Sequence, residues 1–181
     1  VTELLMPFTP MHMGPGLMFK ALLQGGFSLM IFGWSQIVMD IQPLLVMLTG
    51  EGHLHGFSHT YIGATLLAIF SIATGKHLAE FGLKVLKISD AGKPIVISWR
   101  ITSASAFIGT YSHVLLDSLM HSDMQPYYPY SLINNMLDII SVDTLNKACL
   151  YSGIIGAGLF YALQLIHKTR LRFKNVSTNL D

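Results

Sequence analysis

Long apolar stretches alternate with short polar ones along the chain, which is the pattern of helices that cross a membrane repeatedly. The four most apolar stretches are 27–48, 61–75, 101–120 and 148–167. A helix needs about 20 residues to cross roughly 30 Å of hydrocarbon. The first, third and fourth stretches therefore predict membrane spans as they stand, and the second approaches that length if its helix begins near His59.

A fifth apolar segment, 11–23, is shorter than the others. At about 1.5 Å per residue its helix reaches only about 20 Å, so it is predicted as either a short span or a re-entrant segment. Gln24, Gly25 and Gly26 predict a tight turn directly after it. The predicted fold is all-α: a multi-pass transmembrane helix bundle with about four to five membrane helices, one of them short or re-entrant.

Composition supports a membrane protein and excludes several other classes. Charged residues make up only 12% of the 181 residues, against about 25% in soluble domains. The net charge of +1 excludes the basic surface that nucleic acid requires. The single cysteine, Cys149, excludes a disulfide within the chain and a cysteine-based zinc site. We expect one integral membrane domain over 1–181 with the lipid bilayer as its partner, and the sequence favours no oligomeric state.

Lysine and arginine are distributed unevenly between the predicted loops. They are frequent in 75–100 and after His167, absent from 50–60, and represented only by Lys147 in 121–147. Cytoplasmic loops carry the excess of lysine and arginine in membrane proteins. This distribution predicts that the basic segments face the cytoplasm and that 50–60 and the end of the 101–120 helix face the other side.

Ten histidines and carboxylates fall near the predicted non-cytoplasmic side. Six of the eight histidines are among them. These groups come from different segments, but all lie near the same end of their segment. The residues are His12, Asp40, Glu51, His53, His55, His59, His113, Asp117, His121 and Asp123. Ionisable side chains within membrane helices usually mark functional sites, so this shared depth predicts a cluster.

Spacing indicates what such a cluster binds. His113, Asp117 and His121 follow one another at intervals of four, as do His55 and His59. Residues four apart lie on one helix face, and paired ligands at this spacing allow one helix to grip a metal ion. Imidazole and carboxylate donors suit zinc, manganese or iron. We expect a divalent metal ion, with zinc as the first choice.

Each of these residues also has a purely structural interpretation. Asp40 or Asp117 alone is explained equally well by a hydrogen bond between helices. His53 and His121 are interpreted as solvated residues at the membrane boundary, and His77 and His167 on the basic side as non-functional. The methionines around His12 suggest copper, but packing is the better explanation. The YYPYS strip at 127–131 predicts either a lid or an interface anchor.

Several short motifs occur in a fixed order along the chain. They are FTPMHMGPG with His12, MDIQP with Asp40, HGFSHT with His55 and His59, YSHVLLDS with His113 and Asp117, and PYYPYS. In this order the chain resembles the YdjM-like membrane-bound, metal-dependent hydrolases of bacteria. The motifs cover 8–131, whereas the last helix and the basic tail at 148–181 carry none. Relatives often have Pro-Asp-x-Asp where this chain has MDIQ, and His-Arg-Gly where it has HLHG.

The resemblance implies a hydrolase of the bacterial inner membrane with its metal site facing the non-cytoplasmic side. On this basis we expect His59, His113 and Asp117 as metal ligands, with His55 as a fourth. His12 and Asp40 are expected as further ligands or as a general base. The substrate is expected to be a phosphoester or another small or lipid-linked molecule. The alternatives are a divalent-metal transporter or metal-binding protein with the same ligands, and a purely structural membrane subunit.

Overall fold

The computed structural model describes residues 10–90 and 92–178, and the side chains of 11–88 and 92–170. Phe8 and Thr9 of the first motif lie outside the described residues, as do the side chains of the tail beyond 170. Five α-helices follow one another: α1 (Met13–Leu23), α2 (Leu29–Thr49), α3 (Tyr61–Val85), α4 (Trp99–Met120) and α5 (Val142–Thr178). Short 3-10 turns lie at Pro10–His12, Gln24–Gly26 and Phe57–His59, and β1 (Ser89–Asp90) pairs with β2 (Lys93–Pro94). The all-α prediction is confirmed.

Three helices in the described part of the chain are long and apolar enough to cross a membrane, which places the protein in a lipid environment. They are Leu29–Thr49, Tyr61–Val85 and Val142–Arg170. α4 has 22 residues, enough for a span, but its serines, threonines, His113 and Asp117 lower its hydropathy below that of the other three. α1 has only 11 residues, so it is as short as the sequence predicts for this segment.

The helix boundaries follow from local capping. The side chains of Ser28, Thr60 and Ser98 accept hydrogen bonds from backbone N–H groups in the first turns of α2, α3 and α4, which satisfies donors that have no partner within the helix. α2 ends at Thr49, and the residue that follows it, Gly50, has a φ of 72°, which glycine adopts without steric cost.

Two boundaries differ from the sequence prediction. α3 continues to Val85 instead of ending near 75, because Lys76 pairs with Glu80 one turn further along the same helix. Lys76 is therefore a nearly buried helical residue and not part of a basic loop. α5 begins at Val142, ahead of the predicted 148, after a turn in which the Ser141 hydroxyl accepts from the Thr144 N–H.

Helices α2, α3 and α4 pack against one another, whereas α1 packs mainly against α5. Small residues bring both groups into close contact. A Cβ added at Gly109 of α4 would collide with the Ser35 hydroxyl of α2, and one at Gly14 of α1 would collide with the Cys149 carbonyl of α5. The turn at Pro10–His12 also contacts α4, so His12 reaches the three-helix group from the α1/α5 pair.

Candidate metal centre

Five titratable side chains from four parts of the chain meet at one end of the bundle. His12 precedes α1, Asp40 lies within α2, His59 ends the turn before α3, and His113 and Asp117 lie on α4. We call these five residues the inner cluster. All are at most 9% exposed, which is rare for histidines and aspartates that lack a binding partner.

Three imidazoles of the inner cluster converge on the carboxylate of Asp117. His113 Nε2 is 3.1 Å from Asp117 Oδ2, and His59 Nε2 is 3.5 Å from the same oxygen. His12 Nε2 is 3.5 Å from Asp117 Oδ1. Asp40 approaches from α2, with its Oδ1 3.3 Å from His113 Nε2. Nitrogen and oxygen donors of five residues thus surround one small volume.

Gln36 fixes the orientation of the His113 ring. The Gln36 amide nitrogen donates to the Gly109 carbonyl at 3.0 Å, so the amide oxygen points towards His113. His113 Nδ1 lies 2.6 Å from that oxygen and must therefore donate its proton to it. The remaining nitrogen, Nε2, faces both carboxylates. In a neutral imidazole this nitrogen carries a lone pair, which repels carboxylate oxygens unless a proton or a cation lies between them.

His12 and His59 present nitrogens that have no hydrogen-bond partner. His12 Nε2 and His59 Nε2 are both buried and accept or donate no hydrogen bond among the described residues. Burial lowers the pKa of His12 to about 4 and that of His59 to about 3, although Asp117 acts in the opposite direction on both. Both rings are therefore neutral at pH 7, the form in which imidazole binds metal ions.

The separations between these donor atoms fit a metal ion. Zinc binds nitrogen and oxygen ligands at about 2.0–2.1 Å in tetrahedral geometry, which places neighbouring ligand atoms about 3.4 Å apart. The distances from the three Nε2 atoms to the carboxylate oxygens are 3.1 to 3.5 Å. Within this cluster, His12, His113 and Asp117 form one group of possible metal ligands, and Asp40, His59 and His113 form another. The buried histidines and aspartates could thus bind a metal ion.

A second group of three residues lies beside the inner cluster and closer to the surface. We call His55, His121 and Asp123 the outer cluster. His55 Nδ1 is 2.8 and 2.9 Å from the two oxygens of Asp123, and its ring stacks on His121 with 4.2 Å between centroids. Two of these residues, His55 and Asp123, border a cavity of about 400 Å³ that is also lined by His53, Gly56, Phe57, Thr60, Gln125 and Tyr128.

The predicted site residues are thus divided between two adjacent clusters. The expected ligands His59, His113 and Asp117 lie together in the inner cluster, and His12 and Asp40 lie with them at the same distances. His55 pairs with Asp123 in the outer cluster, although it could also share an ion with His59 and Asp117. His53 is exposed. His121 was interpreted as a solvated boundary residue, but it stacks on His55.

Gln36, which orients His113, is a residue of the site that the sequence interpretation missed. It lies four residues before Asp40 on α2, on the helix face that carries Asp40, and a polar residue in an apolar helix next to a candidate site residue was the available signal. Gln42 was also missed. Its side chain accepts from the Ser58 N–H at 3.0 Å and donates to the His53 carbonyl at 3.3 Å, which fixes the loop that carries His55 and His59.

Comparison with protein-family models, with curated proteins and with solved structures gives no match to this chain.

Proposed function

We propose that the protein is a membrane-bound, metal-dependent hydrolase with the inner cluster as its metal centre. The observation that carries this proposal is the convergence of His12, His59 and His113 on the carboxylate of Asp117, at separations that suit one metal ion. The ordered motifs that resemble the YdjM-like hydrolases support hydrolysis over binding alone.

A divalent cation held by these residues supplies Lewis acidity, which polarises an ester or phosphoester bond and makes water more acidic. His59, His113 and Asp117 are proposed to hold the ion, and Gln36 accepts the Nδ1 proton of His113, so that Nε2 is the nitrogen that faces the ion. Zinc is the proposed ion because neutral imidazole and carboxylate at these separations match its ligand preferences. Manganese and iron are the alternatives.

Asp40 is proposed as the general base and His12 as a further ligand or proton carrier. The side chain of Asp40 is 12% exposed, against 5% for Asp117, so Asp40 is the carboxylate that a water molecule reaches more readily. Its Oδ1 faces His113, and its second oxygen is available to accept a proton. A general base has to lie within hydrogen-bond reach of the proton it removes, and Asp40 borders the same volume as the ligands.

We propose a phosphoester or a lipid-linked molecule as the substrate, because the cluster lies at one end of apolar helices. The bacterial inner membrane, with the cluster on its non-cytoplasmic side, is the proposed location. Lys84 near the end of α3 then faces the cytoplasm. A Lys84→Cys variant in intact cells should resist an impermeant thiol reagent, while Glu51→Cys should react. Labelling of Lys84→Cys from outside would overturn this orientation.

A divalent-metal transporter is the second candidate, and one observation favours it. Asp40 lies well inside α2, one of the three candidate spans, and the same helix contains Pro43. Transporters place their ion sites within interrupted helices near the middle of the bilayer. α2 is continuous, however, and His12, His59 and Asp117 lie at or near helix ends, which favours the hydrolase.

One preparation separates the two functions. The purified protein is assayed for hydrolysis of a panel of phosphoesters and lipid-linked substrates and, after reconstitution, for uptake of Zn²⁺ or Mn²⁺ into vesicles. If the protein is a hydrolase, we expect turnover and no ion flux. His59→Ala and Asp40→Asn should abolish this turnover while the protein stays folded. Ion uptake that disappears in Asp117→Ala, together with no hydrolysis, would replace the hydrolase with the transporter.

A further inference from the structure

We propose that the outer cluster, formed by His55, His121 and Asp123, is a second divalent-cation site adjacent to the first. Each of its residues offers one ligand atom, and these atoms lie within 4.8 Å of one another. Its ion binding does not depend on hydrolysis, whereas any part it plays in catalysis rests on the function proposed above.

The donors of the outer cluster are already oriented towards one another. Asp123 directs both carboxylate oxygens at His55 Nδ1 and accepts a further contact from the His55 N–H at 3.4 Å. His121 brings a second imidazole against His55, with 26° between the ring planes. Two imidazoles and a carboxylate are the ligand set of a catalytic zinc site.

The backbone that carries these residues is fixed by contacts with three helices. Gln42 of α2 holds both sides of the His55 loop, and a Cβ added at Gly56 would collide with the Gln42 amide. His121 donates its N–H to the Asp117 carbonyl at 2.8 Å, and Pro126 accepts from the Tyr61 N–H at 2.9 Å. The ligands therefore require little ordering when an ion binds, which favours affinity.

Exposure distinguishes the two sites. Side-chain exposure of Asp123 is 45% and that of His55 is 11%, against 1% for His113. The outer cluster offers three protein ligands, and two of them, His55 and Asp123, border the cavity, which leaves coordination positions for a substrate. Five buried groups surround the inner volume instead. His55 also belongs to a ligand group with His59 and Asp117, so the two ions would be close neighbours. Paired ions in such sites lie about 3.5–4 Å apart and stabilise both the attacking and the leaving oxygen.

The test counts Mn²⁺ ions on the full chain in detergent and records their electron paramagnetic resonance spectrum. With saturating Mn²⁺ we expect about two ions per chain and the spectrum of magnetically coupled ions, as a paired site requires. Asp123→Asn and His121→Ala should each retain about one ion, with the spectrum of an isolated ion. The retained inner ion also shows that each variant is folded. His77→Ala, an exposed histidine on α3 that belongs to neither cluster, is the control and should behave as the wild type.

Three results would overturn the second site. One is a wild-type protein that binds a single ion or two uncoupled ions at saturation. Another is an Asp123→Asn variant that keeps both ions and their coupling. The third is loss of every ion from both variants, because the outer residues would then not form a site separate from the inner one. Failure of the hydrolase proposal gives a different result, since two coupled ions would remain in a protein without turnover.

Discussion

The two ends of the bundle both bury charged side chains, but they satisfy them differently. At the end opposite the inner cluster, Lys76 contacts Glu80 and donates to the Ile97 carbonyl at 2.6 Å, while the Ile97 N–H donates to Glu80 at 2.8 Å. We call this group the lysine network. Its charges cancel and its donors and acceptors are paired within the chain. In the inner cluster, two carboxylates face three imidazoles, and His12 Nε2 and His59 Nε2 form no hydrogen bond.

This difference distinguishes a structural group from a candidate binding site. Burying polar atoms costs free energy unless they are paired, and the lysine network pairs them while fastening α3 to the segment before α4. The inner cluster holds two carboxylates against at most one protonated imidazole, His113, because His12 and His59 are neutral at pH 7. One divalent cation could satisfy both its excess negative charge and its convergent lone pairs.

Replacing the shared ligand should have the largest effect. Asp117→Asn keeps the size of the side chain but removes the charge on which three imidazoles converge. Loss of a hydrogen-bonding partner behind a ligand typically costs about 10–100-fold in metal affinity, so we expect the loss of the ligand itself to exceed about 100-fold. The purified variant should therefore contain little metal, which elemental analysis measures. His167→Ala, an exposed residue near the other end of α5, should leave the metal content unchanged, and unchanged metal in Asp117→Asn would contradict the ligand assignment.

Removing the support behind a ligand should have a smaller effect. Gln36→Leu leaves His113 in place but deletes the oxygen that accepts its Nδ1 proton. We expect metal affinity to fall about 10–100-fold, measured by competition with a chelator. Gln164→Leu replaces an exposed glutamine on α5 and serves as the matched control. Equal affinities in Gln36→Leu and the wild type would mean that Gln36 does not orient His113.

The sequence was sufficient to predict the helices and which residues approach each other along one helix. Long apolar stretches located five helical segments, and intervals of four placed His113 with Asp117. Both signals are local, because a helix determines its own faces. The sequence also suggested that His12 and His59 share a depth with Asp117, and the structure brings all three together.

Contacts between elements could not be read from the sequence in the same way. The pairing of His55 with Asp123 depends on how the loop before α3 folds against the segment after α4, which Gln42 and the Tyr61–Pro126 hydrogen bond determine. The orienting role of Gln36 depends on the rotation of α2 towards Gly109. The extension of α3 depends on the Ile97 backbone, which completes the pairing of Lys76 and Glu80. Each involves partners at least 16 residues apart.

Breaking the lysine network should cost stability without affecting metal binding. Lys76→Met retains the apolar stem but leaves Glu80 and the Ile97 carbonyl without their partner. An unpaired buried group costs about 1–3 kcal/mol, and because Glu80 is 25% exposed we expect about 1–2 kcal/mol in detergent unfolding. Metal content should equal that of the wild type. The double variant Lys76→Met/Glu80→Leu should recover part of the lost stability. Loss of metal in Lys76→Met would mean that the lysine network and the metal centre are not independent.

The smallest effect is expected from the partner of His59. Ser58 Oγ lies 2.8 Å from His59 Nδ1. When His59 coordinates an ion through Nε2, its Nδ1 carries the proton and the Ser58 hydroxyl accepts it, as Gln36 does for His113. The two partners differ in rigidity: the Gln36 amide is held by the Gly109 carbonyl, whereas a hydroxyl rotates freely and Ser58 is only half-buried. Water can therefore replace the Ser58 hydroxyl. We expect Ser58→Ala to weaken metal binding by only about threefold, well below the usual range for such partners, and Ser58→Thr to restore it. A loss as large as that of Gln36→Leu in the same chelator competition would show that the hydroxyl is held as firmly as the amide, and that His59 depends on its partner as much as His113 does.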